Sequence, residues 1–395
     1  MNKINITLLS LLFLFSAFNC FAQEELNFSI FKNQPINFGG ENGDDSEVIR
    51  IQNGRIIYKK VTVPSFPEGT DVRIKLSLRS NGDRWDKSGS CFVVTHPDQI
   101  SIIDVSLGEK KFPVASAINE KFMGVMATDN YKPVVELLRF MTPFGVGHYS
   151  NDKGNHRKPV YIPKWENEVV WENDISQLAS EVSSSFIVGV WIDSWTKEGY
   201  KVDLSLIYSN RPKKTAQVRS LVNTISYVDG QSLPDFFANS TLEKSFNLEK
   251  NVKKATLYYL TTGHGGHSGG DEFIRIKNSL RFNNKLVLDT VPWRDDCASF
   301  RRFNPTSGVW LKKDSASYID FEANAYKIKE IEERIASSDL SRSNWCPGSF
   351  VKPFVVELGD LKAGKHTIQI SIPATAADDD KFNHWLVSAY LTYEE

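Results

Sequence analysis

The chain has 395 residues, 41% of them hydrophobic, and a formal net charge of −1. That length exceeds what one hydrophobic core usually serves, so two domains are expected. The composition excludes a disordered chain, and the near-zero charge gives no electrostatic reason for a nucleic-acid partner.

Met1 to Ala22 has the pattern of an export signal, with Lys3 in its charged start and an apolar run from Ile6 to Ala17. Cys20-Phe21-Ala22 forms a small-x-small site, and cleavage before Gln23 is expected. The expected product is a monomer in the periplasm or the medium. Cys20 raises lipid anchoring as an alternative, but Asn19 before it is a poor lipoprotein-signal residue. No segment is long and apolar enough for a spanning helix, so no membrane span is expected.

Strand signals dominate from there on. Val72, Ile74, Leu76 and Leu78 alternate with Arg73, Lys75, Ser77 and Arg79, after which Asn81-Gly82 turns the chain. The turn presents Asp83, Arg84, Trp85 and Asp86: two acids, a cation and an indole where a packed core needs none of them. Surface ion pairing would explain Asp83 and Asp86, but not an indole left in a polar turn. Cys91 opens an apolar strand and reads as a buried free thiol, since no His lies near it in sequence to activate it. Residues 97–130 read as an insertion within the first domain, mixed in composition and without a chemical motif.

Further strands are expected at Phe186–Ile192 and Val202–Tyr208. At the end of the first, period-two alternation puts Trp191, Asp193 and Trp195 on one face. A carboxylate flanked by two indoles suits a sugar; a core face with one ion-paired Asp fits equally well. Ser209-Asn210-Arg211-Pro212-Lys213-Lys214 then interrupts the pattern and is taken as a boundary between domains at 23–210 and 215–395.

In the second half, strands are expected at Ala255–Leu260, Ile368–Ile372 and Trp385–Leu391. Between them, Gly263 to Phe273 holds five glycines, His264, His267, Asp271 and Glu272, a loop that lets backbone approach a ligand. The two histidines invite a metal, but a third ligand is not evident, so neither metal nor cofactor is expected. Glu272 is the more useful acid, expected at the start of the next strand. Tyr326–Ile335 is the best helical candidate, inside an excursion between Cys297 and Cys346. Those two cysteines lie in Trp-containing loops of the same half and are paired as a disulfide. Arg342 and Trp345 add a cation and an indole beside it. Repeated short strands without long helices predict an all-β protein of two side-by-side antiparallel β-sandwiches, of jelly-roll type, with decorated loops.

With these pieces the chain resembles the peptide-N-glycosidase F family of bacterial N-glycan amidases over most of its mature length. Gly82 to Asp86 is similar to the family's Asp-Glu-Trp-Asp-Arg turn, which makes Asp86 the principal catalytic residue. Arg139 to Gly147 resembles its Arg-Phe-Ile-Thr-Pro-Tyr-Trp-Val-Gly segment. Ile192-Asp193-Ser194-Trp195 falls on its Thr-Glu-Thr-Trp, and Glu272-Phe273 on its Glu-Trp, so Asp193 and Glu272 become the other two acids. Thr261-Thr262, Gly266-His267 and Asn283-Asn284 resemble further family pairs, and Arg342 to Gly348 its Arg-Ala-Gly-Trp-Cys-Pro-Gly.

The resemblance implies hydrolysis of the amide between the innermost N-acetylglucosamine and asparagine of N-linked glycopeptides or glycoproteins, converting Asn to Asp. It implies Trp85, Lys87, Trp195, His267, Phe273, Arg342 and Trp345 as substrate contacts. Three features depart from the pattern: Asp193 is one methylene short, Lys87 replaces an Arg, and the cysteines flanking the first and third acids are absent. The loop between Cys297 and Cys346 is also much longer. A non-catalytic glycan-binding protein, an endo-acting glycosidase and a copper monooxygenase remain the competing readings; the last would need several His ligands in each domain, and His96, His148 and His156 form no ligand motif.

Overall fold

Among the described residues, nine strands precede the expected boundary: β1 (Glu25–Ile36), β2 (Ile49–Ile51), β3 (Ile56–Thr62), β4 (Asp71–Ser80), β5 (Ser88–Val94), β6 (Val135–Met141), β7 (Val169–Asp174), β8 (Ser185–Ile192) and β9 (Tyr200–Ser209). After it come β10 (Gln217–Asn223), β11 (Leu242–Leu248), β12 (Val252–His264), β13 (Asn278–Phe282), β14 (Lys285–Thr290), β15 (Val309–Asp320), β16 (Ala325–Ala336), β17 (Phe350–Val351), β18 (Phe354–Leu361), β19 (Gly364–Ser371) and β20 (His384–Glu394). The computed structural model describes residues 25–64, 70–113, 124–151, 162–209, 216–225, 236–265, 270–375 and 383–395. The signal segment, boundary residues 210–214 and His267 lie outside the described residues.

In the first half, the sheet β1-β9-β4-β7 packs on β6-β5-β8-β3, which β2 extends at one edge and β17 at the other. In the second, β10-β20-β12-β18 packs on β11-β19-β13-β14. Counting the eight principal strands of each half in chain order, both give 1-8-3-6 facing 2-7-4-5. That order is the double Greek key of a jelly roll, so the protein is two jelly-roll sandwiches. β17 comes from the second half yet pairs with β6, Phe350 opposite Phe140, tying the two together.

Each sandwich has its own core, and a third forms between them. Val72, Ile74, Leu76 and Leu78 point into the first core, as alternation requires. β5 does not alternate, because Cys91 and Val93 face the first core while Phe92 and Val94 face the third. The third core also takes Trp191 from β8 and Ile225 and Leu386 from the second half. Trp191 therefore shares the expected face with Asp193, but it is buried packing and not an exposed platform. Cys91 is buried and free, and burial pushes its thiol pKa far up.

A buried ion pair on β6 reaches across this junction through one hydrogen bond. Arg139 grips Glu136 with both Nε and Nη2, while its Nη1 donates to the Leu386 carbonyl of β20 at 2.6 Å. Ser90 Oγ donates to Glu136 at 2.9 Å and completes its coordination.

Two expectations are corrected. Tyr326–Ile335 is strand, not helix: β16 pairs residue for residue with β15, from Val309 opposite Ala336 to Asp320 opposite Ala325. Ile328, Ile331 and Ile335 mimic helical spacing, but continuous cross-strand pairing and a tight turn at Asp320 to Asn324 win, with Asp320 Oδ1 accepting from two turn amides. The 97–130 insertion is not confined to the first sandwich. After a one-turn helix at Ile102–Ser106, it reaches β10, where Ala127 N donates to Leu221 O and Asn223 N to Val125 O. Among the described residues no helix is long and apolar enough to cross a membrane.

Arg139→Met should leave Glu136 charged and unpaired in the junction, costing about 3–5 kcal/mol in urea unfolding. The double variant Glu136→Leu/Arg139→Met should recover most of that loss. Equal losses in the single and double variants would show that the pair is not the source.

Candidate active site

The Asp86 turn is fastened along its whole backbone. Tyr149 Oη donates to Gly82 O at 2.9 Å, Thr306 Oγ1 to Arg84 O at 2.7 Å, and Tyr200 Oη to Trp85 O. Lys87 N donates to Thr142 Oγ1 at 2.8 Å, and Lys87 O accepts from Thr142 N at 2.8 Å. Gly82 has φ +137°, and a Cβ there would meet the Glu198 side chain at 2.7 Å, so glycine is required. Asp83 is fully buried and accepts from Trp85 N at 3.0 Å, Ser194 Oγ at 2.9 Å and Thr196 Oγ1 at 3.2 Å. One carboxylate thus joins the Asp86 turn to the loop that carries Asp193.

Glu272 is held by a parallel device. It lies in a short 3-10 turn, Asp271–Phe273, not at the start of the next strand. Asp271 beside it is fully buried, accepting from Trp385 Nε1 at 2.8 Å and from Thr375 N at 3.2 Å. Asn283-Asn284, both at positive φ, form the two-residue turn joining β13 to β14 and build the scaffold rather than the cleft.

Arg342 connects the two acids. Its guanidinium is buried between the rings of Phe273 and Trp345, 5.1 and 4.8 Å from their centroids. Nε donates to Glu272 Oε1 at 2.8 Å, Nη1 to Leu340 O at 2.8 Å and Nη2 to Ser337 O at 2.8 Å. Nη2 also lies 3.8 Å from Asp86 Oδ2. Asp86 comes from the first sandwich and Glu272 from the second, so the two carboxyls meet across one cation. Burial raises the Asp86 pKa against the pull of Arg342 and Lys87. Burial likewise raises Glu272, to about 7, with Asp86 adding to it and Arg342 opposing. Desolvation outweighs attraction at both.

Asp193 stands apart from this pair on a more open ledge. Trp195 Nε1 donates to its Oδ1 at 3.0 Å, and Arg55 Nη1 approaches the same oxygen at 3.5 Å. Arg55 stacks over Trp195 at 4.2 Å and over Phe38 at 5.4 Å. Arg55 was missed from sequence, since its partners lie far along the chain and no motif surrounds it. Trp85 and Trp195 are 61% and 54% exposed, leaving indole area for a ligand.

Trp345 is different. It is buried, its Nε1 donates to Gly263 O at 2.9 Å, and His264 stacks on it at 5.4 Å. It supports Arg342 and has no face free for a sugar. His264 is itself packed between Trp345 and His384, with burial holding its pKa well below the usual value. Among the described residues no group of three or more His, Cys, Asp or Glu is placed to hold a metal ion.

The Cys297–Cys346 disulfide is present, with a Cα–Cα distance of 5.1 Å. The β15–β16 hairpin rises inside the loop it closes. At its foot Trp310 packs on Phe273 with centroids 5.6 Å apart, while Val309 and Arg334 line a cleft of about 540 Å³ with Arg84 and Trp85.

Two jelly rolls with half-buried carboxyls meeting at their junction, beside exposed indoles, frame the candidate site. The chain belongs to the peptide-N-glycosidase F family: the family's N-terminal model matches residues 27–208 and its C-terminal model residues 232–392. PNGF-II is 35% identical with a TM-score of 0.80, the alignment covering 94% of this chain and 66% of PNGF-II. This chain therefore spans slightly under two thirds of that protein's length. PNGase F, a glycosylasparaginase from Flavobacterium meningosepticum, shares the fold at 14% identity and a TM-score of 0.59, covering 94% of this chain and 96% of that one. No curated protein matches the chain.

Because Glu272 binds its proton more tightly folded than unfolded, stability should fall as pH rises from about 4.5 through about 7. Urea midpoints across that range should show the decline, and Glu272→Gln should flatten it. An unchanged slope in the variant would place the titrating group elsewhere.

Proposed function

We propose that the protein is a peptide-N4-(N-acetyl-β-glucosaminyl)asparagine amidase, releasing intact N-glycans from exported or extracellular glycopeptides. The observation that carries this reading is the pair of desolvated carboxyls, Asp86 and Glu272, on either side of buried Arg342. Cleaving a planar amide needs a base for water and an acid for the departing nitrogen. Asp86, desolvated beside Arg342 and next to Glu272 with its raised pKa, meets both needs in turn, as base and then as acid.

In this reading Glu272 carries a proton and Asp86 stays ionised. Asp86 takes a proton from the attacking water as its oxygen bonds to the asparagine side-chain carbon. The carbon–nitrogen bond then breaks as Asp86 returns the proton to the nitrogen. The products are an aspartate and a glycosylamine, which decays to free glycan and ammonia. Arg342 acts through the carboxyls: its hydrogens are directed to Glu272 and two backbone carbonyls, so it orients and balances the acids rather than clamping substrate. Asp193 and Trp195 would hold sugar hydroxyls and a sugar face, with Arg55 fixing both. Trp85, Phe273 and Lys87 complete the contacts on the cleft side.

Incubation with a defined N-glycopeptide in heavy-oxygen water should give a peptide whose Asn has become Asp bearing one heavy oxygen. A peptide retaining one N-acetylglucosamine would instead indicate a glycosidase, and an unchanged peptide a binding protein. Asp86→Asn should lower kcat by roughly 10²–10⁴-fold with folding intact; full activity would remove Asp86 from the chemistry. Asp193→Ala should act mainly on KM, raising it by about tenfold for a lost hydrogen bond to the sugar. A pure kcat loss would instead make Asp193 part of the proton machinery.

A further inference from the structure

A second cavity, of about 350 Å³, lies away from the catalytic cleft, where the 125–132 segment runs along β10. Three half-buried cations from three segments face it: Lys132 two residues past the insertion, Arg219 of β10 and Lys244 of β11. Lys365 of β19 adds a fourth. The acids lining it are Asp129 and Glu249, and among the described residues neither forms an ion pair with any of the four.

The cations are oriented, and the attraction of Asp129 offsets their charge only in part. Lys132 Nζ donates to Thr128 O at 2.8 Å, and Arg219 lies over the Phe246 ring at 5.5 Å. Burial, then the neighbouring Arg219, pushes the Lys132 pKa down. Burial and then Lys132 do the same to Lys244. Like charges gathered at partial burial destabilise a fold unless a counter-ion joins them. Lysine and arginine together supply the converging donors that a phosphate or sulfate oxygen takes. Thr128, Ser245 and Asn247 add neutral polar groups in the same cavity. The volume exceeds that of a bare oxyanion and falls in the range of small-ligand sites.

We propose that this cavity binds a phosphate or sulfate ester of a small polar molecule, and that the ligand clamps the first sandwich's insertion to the second sandwich. The site is independent of the amidase reading.

The test is thermal unfolding of the purified protein at constant ionic strength, with chloride replaced in turn by inorganic phosphate, inorganic sulfate, a hexose 6-phosphate and a hexose 6-sulfate. At least one ester should raise Tm saturably, by ~3–6 °C at tenfold excess over its Kd, and beyond the effect of the inorganic ions. Lys244→Met should lose this shift yet unfold in chloride at or above the wild-type temperature, because a like charge is gone. Inorganic ions matching the esters would overturn the ester assignment. No shift, or the same shift in both proteins, would overturn the site. If Lys244→Met does not fold, Arg219→Gln and calorimetric titration of the wild type with the hexose 6-phosphate decide the same question.

Discussion

Everything in the candidate site depends on one buried cation shared by two carboxyls from different sandwiches. Arg342 has almost no contact with water, so its charge must be met by protein groups, and Glu272 and Asp86 are the acids within reach. Removing Arg342 would strand carboxylate charge at low dielectric. The same burial that makes the cluster costly raises both acids, Glu272 to about 7, where an isolated surface carboxyl would be fully ionised. Placing the cluster at the junction makes the relative position of the sandwiches part of the site. The β17–β6 pairing, the third core and the Arg139 bond to β20 are what hold that position.

Four acids around this junction divide into two kinds by their surroundings. Asp83 and Asp271 are fully buried and saturated by donors, so each acts as a hydrogen-bonded peg for a turn. Asp86 and Glu272 are carried on those turns, retain partial access, and receive too few donors to offset desolvation. The catalytic candidates are thus the acids the fold leaves incompletely satisfied, and the adjacent acids hold them still.

How much of this was legible follows the same physics. The strands at 72–78 and 368–372 alternate because one face meets a core, and they were readable directly; 385–391 was readable as a strand, but both its faces are buried rather than one. β5 and Trp191 were harder, because a third core buries the face that alternation alone would leave outside. The acids were legible because their turns carry compact local signatures that occur in one order along the chain. Arg55 was not, since its meaning lies in Asp193, Trp195 and Phe38, which only the fold assembles. Trp345 was misread for a related reason: an indole beside a cation on a loop has the same sequence signature whether it faces a ligand or turns inward. The β16 segment was misread because a charged strand with isoleucines at 328, 331 and 335 satisfies helical spacing, and its true partner is the equally polar β15.

The hairpin is the feature least explained by the catalytic cluster, yet it is mechanically joined to it. An isolated two-stranded hairpin is marginal in water, and most of this one is exposed, up to Phe321 at its tip. Its foot is what stabilises it. Ser307 and Ser337 bond across the base at 3.2 Å, Arg301 holds Asp339 at 2.7 Å, and the disulfide closes the loop beneath. The carbonyls of Ser337 and Leu340, immediately after the hairpin, are also the acceptors that orient Arg342. The foot and the cation are therefore one hydrogen-bonded structure. In this chain the part of the protein that reaches furthest into solvent is anchored at the position that sets the charge balance of the site.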